Sequence, residues 1–401
     1  MPRRSTVLVL AGVVLLSLNL RPAAVSVGPV LSELRDGLGM GPASAGLLTS
    51  LPVLAFAVFG ALAPAAAARL GPHRVTLLSL LAVVVGLAGR ATVGSEAAFL
   101  ALSLVAVAGM AMANVLIPSL VRLHFPTRIG LMTAVYTTSL AVGLTAAFLL
   151  TVPVADAFGS WRYGIGAWAV LAAVAAVPWV ALVRRDAALT TPARDVSFRD
   201  IARTRLGWAM TAFFGLQSLM AYAVFGWFAT LWRDAGFGAG TASALVGIVA
   251  AMSIPLSLYL PQAVARPGDQ RLVLIMVMSC YPVAYVGLLV APHSLAVLWA
   301  VVLGAALTTF PVVLTFLGLR TRTAAATAAL SGWTQSTGYL VAAIGPFGVG
   351  VLHDASGGWT VPLVVLLALS VPLFVVGLYV GRPAHIEDQL RTRDDVGTGV
   401  A

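Results

Sequence analysis

The stretch Val7–Leu31 reads VLVLAGVVLLSLNLRPAAVSVGPVL, twenty-four uncharged residues and one arginine, Arg21. At 1.5 Å per residue a helix of this length crosses the roughly 30 Å of a bilayer's hydrocarbon core. Working outward, comparable apolar runs follow at Ser44–Ala67, Val75–Gly94, Ala97–Val121, Ile129–Val154 and Gly164–Val183. Six more lie at Gly207–Leu231, Gly240–Gln262, Leu272–Ala291, Leu295–Gly318, Ala328–Leu352 and Val361–Gly381. The pattern predicts an all-α membrane protein of twelve transmembrane helices. Composition agrees: 60% of the 401 residues are hydrophobic and 9% charged, about a third of the charge fraction of soluble domains. A large soluble domain has nowhere to fit. Arg3 and Arg4 ahead of the first run resemble the head of a secretory signal, yet the run continues to Leu31 without a convincing cleavage site. It is read as an uncleaved first helix.

The net charge is +10, and all 24 Lys+Arg residues are arginine. Their placement between apolar runs speaks for topology rather than nucleic-acid binding. Cytoplasmic loops retain positive charge, and with both termini inside the cell nineteen arginines fall on the cytoplasmic side. Only Arg35, Arg90, Arg162 and Arg233 are then assigned outside, and Arg21 lies within a span. The expected location is the plasma (inner) membrane.

Residues of matching type recur at a spacing of 197 to 198: Arg35-Asp36 with Arg233-Asp234, Arg122 with Arg320, Asp156 with Asp354, and Trp161 with Trp359. The loop Arg69-x-Gly71-x-x-Arg74 likewise matches Arg266-x-Gly268-x-x-Arg271. Six helices per repeat preserve orientation, which predicts parallel repeats with a solute path between them. The expected domains are a six-helix bundle at 1–185, an Arg-rich cytoplasmic linker at 186–205, a second bundle at 206–382 and a cytoplasmic tail at 383–401. Six arginines from Arg184 to Arg205 surround Phe198 and Ile201. That composition suits either an anionic lipid surface or a solvated linker.

No Asp, Glu, Lys or His falls within the assigned spans, so Arg21 is read as the one ionisable side chain at depth apart from tyrosines. An arginine at a helix centre costs about 2.5–3.5 kcal/mol to insert and usually faces a cavity or a partner. Leu18, Ser17, Ala24, Val25 and Gly28 share its face, and several are small. Pro22 cannot donate to the Leu18 carbonyl, so a kink is expected beside Arg21. Asn19 points elsewhere and reads as a packing contact. Other polar residues at depth are Asn114, Tyr136 with Thr137, Gln217 with Tyr222, Thr308 with Thr309, and Gln335 with Tyr339, each of which could instead be interhelical glue. Gln335 stands out because Ser331, Gly332, Gly338, Tyr339 and Ala342 share its face. Trp227 and Trp333 are candidate cavity walls, although tryptophan belongs as naturally to membrane interfaces.

No metal-ligand spacing, nucleotide loop or nucleophile with a nearby base appears. The five histidines fall in loops or at span ends, and the single Cys280 has no partner for a disulfide. An enzyme, a metal, a cofactor and a nucleic-acid partner are therefore not expected.

The phrases Asn19-Leu-Arg21-Pro22, Gly28-Pro29, Gly130-Leu-Met-Thr133 with Tyr136-Thr-Thr138, and Gln217-Ser218 with Tyr222 and Trp227 stand out. To these are added Gly318-Leu-Arg320-Thr-Arg322-Thr323, Gln335-Ser336 with Gly338-Tyr339, and His353-Asp354 with Gly358-Trp359. In these phrases the chain resembles, over nearly its whole length, the cyanate permease family of the major facilitator superfamily, which includes cyanate and 2-nitroimidazole transporters. The resemblance implies alternating access, in which two halves expose a central site to either side in turn. Arg69-x-Gly71-x-x-Arg74 looks like the tail of the superfamily's motif between its second and third helices, which holds the cytoplasmic gate. It marks Arg69, Gly71, Arg74, Arg266, Gly268 and Arg271 as gating residues. Ala68 stands where that motif usually has Asp, which leaves arginine contacts with helix carbonyl ends to hold the gate.

The expected function is transport of a small anionic or polar, electron-rich solute, with Arg21 as electrostatic anchor. Asn114, Tyr136, Gln217, Tyr222, Trp227, Trp333, Gln335 and Tyr339 are the accompanying site candidates. The rival readings are an exporter of neutral nitroaromatic compounds that depends on Trp227 or Trp333, and a membrane sensor or assembly subunit without throughput. The expected partners are the solute and anionic lipid at the Arg-rich face, with a monomer sufficient for function. With no carboxylate at depth, uniport or exchange is expected rather than proton-driven transport.

Overall fold

The computed structural model describes residues 3–184, 196–266 and 268–390. Its α-helices are α1 Arg3–Asn19, α2 Pro22–Val25, α3 Leu31–Leu38, α4 Pro42–Ala55, α5 Ala61–Leu70, α6 Pro72–Thr92, α7 Glu96–His124, α8 Ile129–Ala157 and α9 Trp161–Leu182. They continue with α10 Phe198–Ala202, α11 Arg205–Asp234, α12 Ala239–Val264, α13 Arg271–Val290, α14 Ala296–Leu307, α15 Thr309–Leu319, α16 Ala324–Ser356 and α17 Thr360–Val380. Among the described residues there is no strand, and twelve helical stretches are long and apolar enough to cross a membrane. These are the twelve spans expected from the sequence. The first joins α1, α2 and a short 3-10 turn, and the tenth joins α14 and α15.

The described residues form two compact units, one within Met1–Pro126 and Val135–Val196, the other within Thr127–Ala134 and Ser197–Ala401. The backbone carries the repeat seen in the sequence. Among the described residues six glycines have positive φ, and they pair as Gly39 with Gly236, Gly71 with Gly268, and Gly159 with Gly357. A side chain would be strained in that conformation, so the same turns recur in both halves. Trp161 lies against Gly37 in unit 1, and Trp359 donates to Asp234 at 2.8 Å in unit 2.

Helix starts outside the membrane are capped by hydroxyls: Ser95 for α7, Ser160 for α9, Thr204 for α11 and Thr323 for α16. Each satisfies N–H groups that the first turn leaves open. Within the membrane, where helices gain nothing hydrophobic by meeting, small residues allow close packing. Gly86 of α6 meets the Leu102 carbonyl and Ala106 of α7, and Gly345 of α16 meets Leu219 of α11.

Two stretches read as cytoplasmic periphery are built into unit 2. The capping box of Ser197 and Asp200 starts α10, which buries Ile201 and sets Phe198 edge-on to Trp333 at 6.0 Å. This apolar pair goes into protein, not lipid, because α16 offers it a surface. Residues 185–195 of the Arg-rich segment lie outside the described residues. In the tail, Ile386 is buried and donates to the Arg320 carbonyl. Glu387 accepts from the Arg322 and Thr323 amides at 2.7 and 3.2 Å, Arg322 pairs with Asp388, and Gln389 accepts from the Leu206 amide. Carboxylate and amide side chains thereby cap two helix N-termini.

Candidate functional site

In unit 1 the first span is interrupted where the sequence places its kink. Pro22 has no N–H to offer the Leu18 carbonyl, so α1 stops at Asn19 and α2 begins at Pro22. The Arg21 carbonyl accepts from the Ala24 and Val25 amides at 3.1 and 3.0 Å. Arg21 occupies the break as the N-cap of α2, its side chain partly exposed. Gly143 of α8 lies directly over the Leu18 carbonyl, where any Cβ would collide with it. Asn19 donates to Leu15 at 2.7 Å and to Leu171 of α9 at 3.3 Å, the packing contact expected of it. Asn114 of α7 and Tyr136 of α8 are both buried in this unit.

Arg90 corrects the reading of Arg21 as the one ionisable group at depth. Counted as an external arginine although it stands inside the Val75–Gly94 run, it is 1% exposed. It donates to the Ala23 carbonyl and to Ser26 Oγ, each at 3.0 Å, inside the interrupted span. Arg162 does similar work one helix away, donating to the carbonyls of Ala91 and Val93 at 3.1 and 2.6 Å. A further buried ionisable residue is His73. It stands at a span end as read, but it is fully buried, its Nε2 2.8 Å from that of His124.

In unit 2, α11 and α16 bring Gln217, Tyr222 and Tyr339 to one aromatic and polar region. The Tyr339 ring meets Phe214 edge-on at 5.1 Å and Tyr222 at 6.3 Å, and Phe214 adjoins Phe310 at 6.2 Å. Gln217 donates to the Phe214 carbonyl at 3.2 Å and to Ser218 at 2.6 Å, while its buried Oε1 has no hydrogen-bond partner among the described residues. Gln335 donates to Ser331 at 2.7 Å, which joins two residues of the strip read from the sequence. The tenth span breaks at Thr308. Pro311 denies the Leu307 carbonyl its donor, and Thr308 and Thr309 bond back to Ala305 and Ala306 at 2.5 and 3.0 Å. Thr309 also meets the hydroxyl of buried Tyr281 at 2.9 Å.

The two tryptophans lie elsewhere. Trp333, two positions from Gln335 and hence on another helix face, packs against Phe198 and Trp208. Trp227 donates to the Pro346 carbonyl at 2.7 Å and adjoins His353 and Trp359. Both have structural partners where they stand.

At the loops marked as gating, Gly71 and Gly268 have φ of 91° and 114°. Arg69, Arg74 and Arg266 are exposed, and Arg271 pairs with Asp269 at 2.6 Å. A contact of arginine with a helix carbonyl end does occur beside the second loop, but through Arg320. It donates to Val380 at 2.9 Å and to Gln270 at 2.7 Å. Burial brings the Arg320 guanidinium down to about 10, against an upward pull from Asp269, so it stays charged at neutral pH.

Residues that the sequence reading missed are Arg90, Ser26, Gly143, Phe214 and Phe310. Arg90 had a signal, its number inside an assigned span. Gly143 and the phenylalanines had none, being ordinary residues of apolar helices.

Among the described residues, twelve apolar helices, one of them broken at an arginine, define a multi-pass membrane protein. The family model for the Major Facilitator Superfamily matches residues 8–346, and the chain belongs to that superfamily. It is 32% identical over 387 residues to the 2-nitroimidazole transporter of Escherichia coli (strain K12), covering 96% of this chain and 98% of the relative. It is 28% identical over 355 residues to the cyanate transport protein of the same organism, covering 86% and 90%. The fold resembles that of a proton:xylose symporter of the superfamily, with a TM-score of 0.74 at 12% identity over 97% of this chain and 98% of that one. The resemblance drawn from the motifs is borne out, and the chain is a transporter rather than an enzyme.

Proposed function

We propose that the chain carries a small anionic or polar, electron-rich solute, cyanate-like in its chemistry, by the alternating access its superfamily implies. The observation that supports this best is Arg21, a guanidinium set in an interruption of the first membrane span. An arginine within a span usually faces a cavity or a partner, and the planar fork of a guanidinium suits an anionic or electron-rich solute. Gln217, Tyr222, Gln335 and Tyr339 are proposed to complete recognition, with Gln217 Oε1, which has no hydrogen-bond partner among the described residues, as an acceptor for a solute N–H or a water. The solutes named for the two relatives, cyanate and 2-nitroimidazole, fit that chemistry.

Counterflow of labelled cyanate in proteoliposomes at equal pH on both sides tests the reading, with 2-nitroimidazole as competitor. Exchange that saturates and is competed is expected, and no exchange of either solute would refute it. The buried ionisable groups among the described residues, tyrosines aside, are Arg90, Arg320 and His73, with no carboxylate among them. An imposed pH gradient is accordingly expected to drive no uphill accumulation.

The aromatic contacts of Phe214, Tyr222 and Tyr339 favour a second reading, export of neutral flat aromatics. A stacking contact contributes about 0.5–1.5 kcal/mol beyond its area. Tyr222→Ala should therefore weaken 2-nitroimidazole exchange roughly three- to tenfold and leave cyanate within about twofold. Equal losses for both solutes would count against the second reading and favour Tyr222 as part of the shared site of the first.

The proposed setting is the plasma (inner) membrane with both termini cytoplasmic and the protein active as a monomer. Arg184, Arg199, Arg203 and Arg205 are exposed and proposed to face anionic lipid. A reporter inserted after Arg205 should be cytoplasmic and one near Gly39 external; the reverse would overturn this orientation.

A further inference from the structure

We propose that Arg90 is a positioning residue, the strut that holds the interrupted first span in the shape that presents Arg21. The inference rests on the reading of Arg21 as solute anchor. Its observations are all in unit 1. The guanidinium is 1% exposed, and both residues it grips, Ala23 and Ser26, are fully buried. One arm supplies a donor to the Ala23 carbonyl, within a helix of only four residues, and the other reaches the Ser26 hydroxyl just past its end. So short a helix has little stability of its own.

The arrangement is a poor choice for stability alone. Two contacts to neutral acceptors and a buried Nε without a hydrogen-bond partner among the described residues repay little of the desolvation of a guanidinium. A packed apolar residue would be cheaper and would leave the segment between Arg21 and Gly28 untethered. The strut is itself fixed, because Arg162 of α9 holds the Ala91 and Val93 carbonyls at the end of the helix from which Arg90 projects. Two successive arginine-to-carbonyl ties thus run from α9 through α6 to the break. Their function follows from population. If the break wanders, only a fraction of molecules present Arg21 correctly, and the apparent affinity for solute falls by that fraction while turnover of the loaded carrier is preserved.

The experiment has two readouts. Solute affinity and maximal rate are measured by cyanate counterflow for Arg90→Gln, Arg90→Lys and Ser26→Ala in the otherwise native chain. Order in the break is measured without solute, by maleimide labelling of Ala24→Cys in a Cys280→Ser background, with and without the same changes. Loss of a charge-assisted pair of hydrogen bonds corresponds to about tenfold or more. Arg90→Gln is therefore expected to raise KM and the labelling rate about tenfold, with maximal rate within about twofold. Ser26→Ala removes one contact and should give about threefold in both. Arg90→Lys keeps the charge and one donor, and should recover most of the affinity.

Labelling unchanged in both Arg90→Gln and Ser26→Ala would overturn the strut, whatever transport does. A fall in maximal rate at constant KM would also overturn it, since that outcome puts Arg90 in the conformational cycle. Should Arg90→Gln not yield folded protein, Ser26→Ala and Arg90→Lys decide by the same criteria at smaller amplitude. Labelling that rises as expected while Arg21→Gln transports normally would overturn the anchor reading and leave the strut in place.

Discussion

Arg21→Gln should lose most cyanate exchange, with KM rising roughly ten- to a hundredfold. A hydrogen bond to a charged group contributes about 1.5–3 kcal/mol, and each 1.4 kcal/mol is a factor of ten in affinity. The solute in this reading loses both the charge and the planar fork of donors. Arg21→Lys keeps the charge but not the fork and should fall between, with a KM about three- to tenfold above that of the native chain. A neutral aromatic solute has less to lose, so 2-nitroimidazole exchange should change less than cyanate exchange in both variants. The comparison of solutes within one variant matters most, because any general loss of folded protein would lower both together. Cyanate exchange by Arg21→Gln at the native KM would end the anchor reading. A loss that is equal for the two solutes would show that the residue shapes the span and does not select the solute.

The fold was legible because the bilayer imposes its own simple rules. A chain without water must satisfy its backbone internally, so each long apolar run is a helix. Counting such runs found all twelve spans, including those broken within. Proline at the fourth position after a carbonyl was read correctly at Leu18 and Pro22. The same rule explains the break at Thr308 through Leu307 and Pro311, which the sequence reading noted only as a pair of polar residues.

The local chemistry was less legible, and the reason is directional. Sequence places a residue on a helix face, but it does not say which neighbour that face meets. Gln335 and Ser331 lie one turn apart on one helix, so their pairing could be read. Trp333 shares that helix but meets Phe198 and Trp208, partners that no spacing announces. The arginines show the same limit. Charge asymmetry sorted them by side, a statistical rule about loops, and it sent Arg90 outside. The structure gives that side chain two neutral acceptors in another helix instead. Arg90, Arg162 and Arg320 all find carbonyl oxygens, and among the described residues Arg90 and Arg162 have no carboxylate as a hydrogen-bond partner. In a chain with 14 Asp+Glu against 24 arginines, helix ends with unsatisfied carbonyls are the acceptors most readily found.

Gly143→Val should give the largest loss of stability among single changes near the break. A Cβ at this position would overlap the Leu18 carbonyl oxygen and lie 2.9 and 3.1 Å from its carbonyl carbon and Cα, all backbone atoms that cannot swing aside. The two helices must then separate, and overpacking of this kind costs about 1–3 kcal/mol even where side chains can adjust. Here it also uncovers a carbonyl that Pro22 has already deprived of its helical donor, inside a membrane where no water replaces it. Gly143→Val should therefore melt at least several degrees lower in detergent and lose exchange, while Gly143→Ala should show the same effects at smaller amplitude. Gly28, nine residues from Asn19 on the other side of the break, is the control. Nothing lies within 4 Å of a Cβ built there and its φ is not positive, so Gly28→Ala should keep the native melting temperature to within a degree or two. Equal melting temperatures for Gly143→Val and Gly28→Ala would mean that the close approach of α8 to Leu18 does not hold the interrupted span in place.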